Sequence, residues 1–126
     1  MKLRIRGDSL RLRLSQGEIV RLRETGEVGD QIHIGDRSLV YALVAGEVDT
    51  PRAVFEGTRI EVTLPRALAI EWASGDRVGI EAEQPLASGA LRLLIEKDFR
   101  CLAPRAGEED SDGFPHPGSG AGSDGC

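Results

Sequence analysis

The chain has 126 residues, 40% of them hydrophobic, 29% charged and only 4% aromatic, with a formal net charge of −5. That length fits one domain whose core is built from Leu, Ile, Val and Ala, and the negative balance argues against unselective nucleic-acid binding. No run of 18 apolar residues is present, so no membrane-spanning helix is expected, and two cysteines make no disulfide framework. With no apolar leader at its start, the chain is expected to be cytoplasmic with reduced thiols.

In chain order, Lys2–Arg6 alternates Leu3 and Ile5 with basic residues, the period of a half-buried strand. Gly7-Asp8 predicts a turn, and Ser9–Leu14 repeats the alternation with Leu10, Leu12 and Leu14 on one face. Ser15 with Glu18 predicts a capping box, opening a helix that runs to about Thr25 and stops at Gly26. Gln31–Ile34 and Ser38–Val44 predict two strands joined at Gly35-Asp36.

The pattern then recurs. Arg52–Phe55 and Arg59–Leu64 predict strands around Glu56-Gly57, with Ile60, Val62 and Leu64 inward. Pro65 suits the first position of a second helix, on which Leu68 and Trp72 share a face. Ser74-Gly75-Asp76 ends that helix, and Arg77–Ala82 and Ala90–Glu96 predict the last strands, separated by Gln84–Gly89. An offset of 50 residues superposes Gly7 on Gly57, Leu10 on Ile60, Leu12 on Val62, Leu14 on Leu64, Val20 on Ile70, Leu22 on Trp72, Val28 on Val78 and Gly29 on Gly79. Near the end the offset becomes 52, where Leu39–Val44 meets Leu91–Glu96.

These coincidences predict a duplicated β-β-α-β-β unit, with repeats over about 2–46 and 52–97. One unit of about 45 residues is too small for a stable core, so two are expected to close on each other. The expected fold is α+β, mainly β. It is a tandem β-β-α-β-β repeat closing into a pseudo-twofold antiparallel barrel or sandwich with two short helices, over residues 1–99. Residues 100–126 form an acidic tail rich in Pro, Gly and Ser, expected to be disordered or peripherally docked.

The segment "GTRIEVTLPRALAIEWASGDRV" (Gly57–Val78) resembles the core of AbrB/MazE-type DNA-binding domains, and "GDSLRLRLS" (Gly7–Ser15) resembles a second copy without the proline. That resemblance implies interleaved hairpins, which two copies in one chain would assemble internally, and contact with DNA. Over the whole chain, "MKLRIRGDSLRLRL", "IEKDFRCL" (Ile95–Leu102) and "FPHP" (Phe114–Pro117) are similar to a family of small uncharacterised bacterial proteins, which implies a bacterial source and no known activity.

Charge is unevenly distributed. Residues 1–23 hold seven basic residues against two acidic ones, whereas residues 99–126 hold two against five. Arg4, Arg6, Arg11 and Arg13 are expected to share one strand face, opposite the leucines, where guanidinium groups can bind phosphates or carboxylates bidentately. These four are the candidate binding residues, with DNA or an acidic protein surface as partner, and the molecule is expected to be a monomer or a weak homodimer. The plain alternative is a solvated face with cross-strand partners such as Glu61, Glu81 and Glu83. A barrel lined by Arg4, Arg6, Arg11, Arg13, Glu61, Glu81, Glu83 and Arg92 would instead resemble a triphosphate tunnel enzyme. A third reading is a purely structural or assembly module.

No catalytic residue, cofactor or metal is assigned. His33 sits on a strand, and no G-x-S-x-G or Cys/His pair of recognisable spacing occurs. Glu108, Asp110, Asp112 and Gly113 mimic the start of a calcium loop, but Ser119 stands where the final acidic ligand is required. Cys101, His116 and Cys126 could contribute to a zinc site, and three ligands at such irregular spacing are weak evidence for one.

Overall fold

The computed structural model describes residues 1–98. Eight strands and two helices follow the order β1 (Lys2–Ile5), β2 (Ser9–Leu14), α1 (Gln16–Thr25), β3 (Glu27–Ile34), β4 (Arg37–Gly46), β5 (Arg52–Glu56), β6 (Arg59–Pro65), α2 (Arg66–Ser74), β7 (Gly79–Leu86) and β8 (Gly89–Lys97).

Each hairpin turns where its sequence permits. Gly7 and Gly57, fifty residues apart, adopt φ of 56° and 57°, a region that L side chains enter only with strain. Helix α1 opens on the expected capping box: the Glu18 N–H donates to the Ser15 hydroxyl, and the Ser15 N–H donates to the Glu18 carboxylate at 2.8 Å. It ends at Gly26, left-handed at φ 84°, whose N–H reaches the Leu22 carbonyl. Helix α2 begins one residue later than expected. Pro65 has extended ψ of 135° and still belongs to β6, so Arg66 is the first helical residue. The last hairpin is tighter than expected, because β7 continues through Gln84 and Pro85 to Leu86.

The strands form two four-stranded sheets, A in the order β1-β2-β8-β7 and B in the order β3-β4-β6-β5. Each sheet takes one hairpin from the first half of the chain and one from the second. The hairpins themselves are antiparallel, but the central pairs β2·β8 and β4·β6 are parallel. Mixed sheets therefore replace the expected antiparallel closure, and the described strands form two separate sheets rather than one closed barrel. The parallel joins arise because each half donates its two hairpins to different sheets.

The pairing registers repeat under the duplication. Ser9↔Arg92 in sheet A corresponds to Arg59↔Val40 in sheet B, an advance of 50 for the first residue and a retreat of 52 for the second. Lys2↔Arg13 and Arg52↔Thr63 also correspond, with both residues advanced by 50. Glu27↔Val44 maps onto Gly79↔Glu96, so the offset has already become 52 at the start of β3. Val28 is thus the counterpart of Ile80, not of Val78, and Gly29 is not the counterpart of Gly79. Burial agrees: Val28 and Ile80 are enclosed, while Val78 is exposed. The extra two residues lie in the passage from α2 to β7.

One apolar core joins both sheets and both helices. Leu12, Leu14, Leu93, Ile95 and Ile80 come from sheet A, and Val28, Leu43, Val62 and Leu64 from sheet B. The helices, which pack on each other, add Ile19, Leu22, Ala69 and Trp72. Leu22 and Trp72 occupy equivalent places, both enclosed, whereas Val20 and Ile70, also equivalent, face out. Trp72 buries its ring and donates Nε1–H to the Val78 carbonyl at 3.1 Å, with the Lys97 ammonium 5.9 Å from the ring centre.

The two sheets are tied at one margin. The Gln84 side chain on β7 meets the edge of β5, accepting from the Ala53 N–H at 2.6 Å and donating to the Ala53 carbonyl at 3.1 Å. A side-chain amide thereby does for an edge strand what a neighbouring peptide would do. At the equivalent margin, between β1 and β3, Ile32 stands in the place of Gln84. There the Met1 ammonium pairs with Glu18 and lies 3.4 Å from Asp30 instead. Burial works to raise the Glu18 pKa, but that ammonium and the Ser15 N–H hold it below its ordinary value.

Candidate functional site: an arginine face on sheet A

In a strand, successive side chains leave on opposite faces. With Leu12, Leu14, Leu93 and Ile95 turned to the core, the outer face of sheet A carries Lys2 and Arg4 from β1, Arg11 and Arg13 from β2, Arg92, Leu94 and Glu96 from β8, and Glu81 and Glu83 from β7. Register fixes the neighbours: Arg4 lies opposite Arg11, Lys2 opposite Arg13, and Arg92 opposite Glu83. The face grades from basic at β1 and β2 to acidic at β7.

At the hairpin-tip end of this face lies an open depression of about 200 Å³, lined by Arg4, Arg6, Ser9, Arg11, Arg92, Leu93 and Leu94. Three of the four arginines expected from the sequence meet there. Arg13 does not. It sits one strand step further from the tip, with Nε 3.8 Å from Glu96 and without a hydrogen-bond partner among the described residues. Arg92 takes its place, brought in by the parallel pairing of β2 with β8, which sets it opposite Ser9. The duplication carries no signal for Arg92, whose counterpart is Val40; only the interleaving of the hairpins makes it a neighbour of Ser9.

The cations are partly neutralised. Arg11 Nε donates to Glu96 at 2.9 Å, and its Nη2 lies 2.9 Å from the same oxygen, with both side chains mostly covered. This pair fixes the Arg11 guanidinium in the floor of the depression. Arg92 pairs with Glu81 at 3.2 Å, with both partners more than 60% exposed. Such a surface pair is worth roughly 0–1 kcal/mol, so an incoming anion can displace the Glu81 carboxylate at little cost. Of the cross-strand partners anticipated for this face, Glu81 pairs with Arg92. Glu61 lies on sheet B, bonded to Arg59. The acidic partner of Arg11 is Glu96.

The pseudo-symmetry supplies an internal control. The counterparts of Arg4, Arg6, Arg11 and Arg92 on sheet B are Val54, Glu56, Glu61 and Val40, so the cationic depression occurs on one sheet and not on its equivalent. The duplicated fold needs an apolar inside in both copies and does not need these arginines in either. On sheet B, Arg59 instead reaches Glu27 and Glu61 at 3.2 and 3.0 Å, lying across the outer face where Ala42 is buried.

A profile for a family of unknown function matches residues 1–118. The chain belongs to the DUF7009 family. Comparison with curated proteins and with solved structures returned no match. The family match runs 20 residues past the last described one, through the acidic run and Phe114–Pro117, and stops at Gly118.

Other sites fare less well. The eight residues of the tunnel-enzyme reading do not line one interior: the arginines, Glu81 and Glu83 face outward from sheet A, and Glu61 faces outward from sheet B. Among the described residues, no group of three or more His, Cys, Asp or Glu is placed to hold a metal, and no helix is long and apolar enough to cross a membrane. Cys101, His116, Cys126 and the calcium-loop mimic lie outside the described residues.

Proposed function

We propose that the chain is a non-catalytic interaction domain that binds an acidic segment of a partner protein through Arg4, Arg6, Arg11 and Arg92. The observation that carries this reading is the restriction of the arginine depression to one of two equivalent sheets. Guanidinium groups suit carboxylates because two parallel N–H donors match two oxygens. Leu93 and Leu94 in the lining offer apolar contact beside the charges.

An acidic peptide suits the face better than duplex DNA does. The cationic strip is only two strands wide before Glu81 and Glu83 reverse the sign, and a long polyanion laid across the sheet would meet those carboxylates. Among the described residues the face carries no aromatic side chain, so they offer bases nothing to stack on. A second reading, nucleic-acid binding, draws its support from the interleaved hairpins, which suit the AbrB/MazE resemblance.

Fluorescence anisotropy with a labelled hexaglutamate peptide and with a 20-base-pair duplex, at low salt, tests the two. The expected result is saturable peptide binding, weakened about tenfold by Arg4→Gln with Arg6→Gln, and weaker duplex binding. Binding of the duplex alone, or peptide binding indifferent to the double variant, would overturn the proposal.

A further inference from the structure

We infer that two copies of this chain pair through the open edge of β3, antiparallel about a twofold axis at Gln31, into a reversible homodimer. The inference concerns sheet B and stands independently of the arginine face.

The hydrogen bonds show which edges are open. Ala53 turns its N–H and C=O away from β6 to the Gln84 side chain, and Gln84 stands on the same side of β7 as the buried Ile80. The edge of β5 therefore abuts the inner side of β7, and the pseudo-symmetry sets the edge of β1 against β3 in the same way. The edges of β3 and β7 are left facing outward. On β3, the Ala45 N–H donates to the Gly26 carbonyl, so by alternation Val28, Asp30, Ile32 and Ile34 bond to β4. The backbone groups of Glu27, Gly29, Gln31 and His33 point the other way. The Lys97 N–H donates to the Val78 carbonyl likewise, so Gly79, Glu81, Glu83 and Pro85 point away from β8.

These two edges are not alike. On β7, Glu81 and Glu83 line the edge with like charges and Pro85 removes an outward donor, devices that keep an edge from pairing. The equivalent positions on β3 are Gly29, Gln31 and His33, and none of them blocks a strand. Strand β3 is eight residues long and exposed except at Val28, with Ile32 and Ile34 47% and 63% accessible. The Thr25 hydroxyl serves both backbone groups of Glu27. The Asp30 carboxylate accepts from the Gln31 N–H at 3.0 Å, a local substitute for a neighbouring strand.

A second copy fits this edge because the edge is self-complementary. Glu27 and Asp30 stand towards the start of β3, His33 near its tip and Arg37 across the turn. Antiparallel pairing sets the acidic end of each copy against the basic end of the other. Centred on Gln31, it places Gly29 opposite His33 of the second copy and forms about six backbone hydrogen bonds. Glu27 then lies diagonal to His33, and the two Ile32 side chains lie diagonal to each other. So narrow a seam belongs with weak, transient interfaces.

Sedimentation equilibrium of the 126-residue chain from micromolar to millimolar concentration tests the pairing. The expected weight-average mass rises towards twice that of one chain. His33→Pro and Gln31→Glu each install the residue β7 carries at that place, so both should fold, checked by circular dichroism, and weaken association at least about tenfold. Cross-linking tests the register. In a background with Cys101→Ser and Cys126→Ser, Gln31→Cys should form a disulfide-linked dimer on oxidation, because opposed residues of a hydrogen-bonded pair lie about 5.5 Å apart. Glu83→Cys, its counterpart on β7, should not. A chain monomeric at every concentration, or a dimer indifferent to both edge variants, would overturn the inference. So would cross-linking by Glu83→Cys as readily as by Gln31→Cys, or its absence from both.

Discussion

The Gln84 clamp gives the most direct handle on how the two sheets hold together. Gln84→Ala removes two hydrogen bonds to the Ala53 peptide, one at 2.6 Å and one at 3.1 Å. Each such bond contributes about 1 kcal/mol net, and the partly covered Ala53 groups recover only some of that from water, so the expected loss is about 2 kcal/mol. For a domain of this size that lowers Tm by roughly 8–16 °C, readable by calorimetry or by the urea midpoint. Gln84→Glu separates the two bonds. Its ionised carboxylate still accepts from the Ala53 N–H but opposes the Ala53 carbonyl. The variant should therefore be at least as unstable as Gln84→Ala at neutral pH, and should recover as the carboxyl protonates and becomes a donor. If Gln84→Ala stays within about 0.5 kcal/mol of wild type, in the range of an ordinary surface substitution, the clamp is not a structural tie. A Gln84→Glu variant without that acid recovery would contradict the donor role.

Further expectations follow the same logic. Trp72→Phe keeps an aromatic ring in the core but loses the Nε1–H bond to Val78 and leaves unfilled volume, so it should lower stability by about 2 kcal/mol. A denaturant midpoint equal to wild type would show that the indole N–H contributes nothing. Ser15→Ala breaks the capping box and should lose about 1 kcal/mol in the same assay, with Ser15→Asp restoring most of it. The Glu18 carboxyl titrates below its ordinary value of 4.5 in the folded chain, so the unfolded chain takes up the proton first as pH falls. Its stabilising contribution is complete above about pH 4.5 and is lost as pH drops through the folded value. Glu18→Gln should flatten the acid limb of a stability-versus-pH curve, and a limb of unchanged slope would refute that assignment. Ile32→Gln places at the β1–β3 margin the residue its counterpart uses, and should leave stability unchanged or raise it by up to about 1 kcal/mol. A loss of that size would mean the two margins are not equivalent.

The elements were legible because the local signals are strong. Alternation of Leu with Arg, paired glycines at turns and the Ser15–Glu18 box each act over a few residues. The duplication was legible too, since Leu12, Leu14, Leu22, Val62, Leu64 and Trp72 all occupy the core positions that the 50-residue offset assigns. What the pattern did not carry was pairing. Alternation determines which face a residue takes but not which strand lies beside it, so the parallel β2·β8 and β4·β6 joins, and with them the arrival of Arg92 and the displacement of Arg13, had no one-dimensional signal. The shift of offset before β3 was hidden by Val78 and Gly79, which match Val28 and Gly29 in type but not in place. The Gln84 clamp was hidden for a related reason: a lone Gln near a turn reads as loop until an edge strand is set against it.

The central claim is that the outer face of sheet A, and not its equivalent on sheet B, is the binding surface. An NMR titration of the 126-residue chain with hexaglutamate peptide tests it residue by residue. The account predicts perturbations concentrated at Arg4, Arg6, Ser9, Arg11 and Arg92–Leu94, with Val40, Val54, Glu56 and Glu61 unmoved. Perturbations centred on sheet B, or spread evenly over every exposed cation, would contradict it.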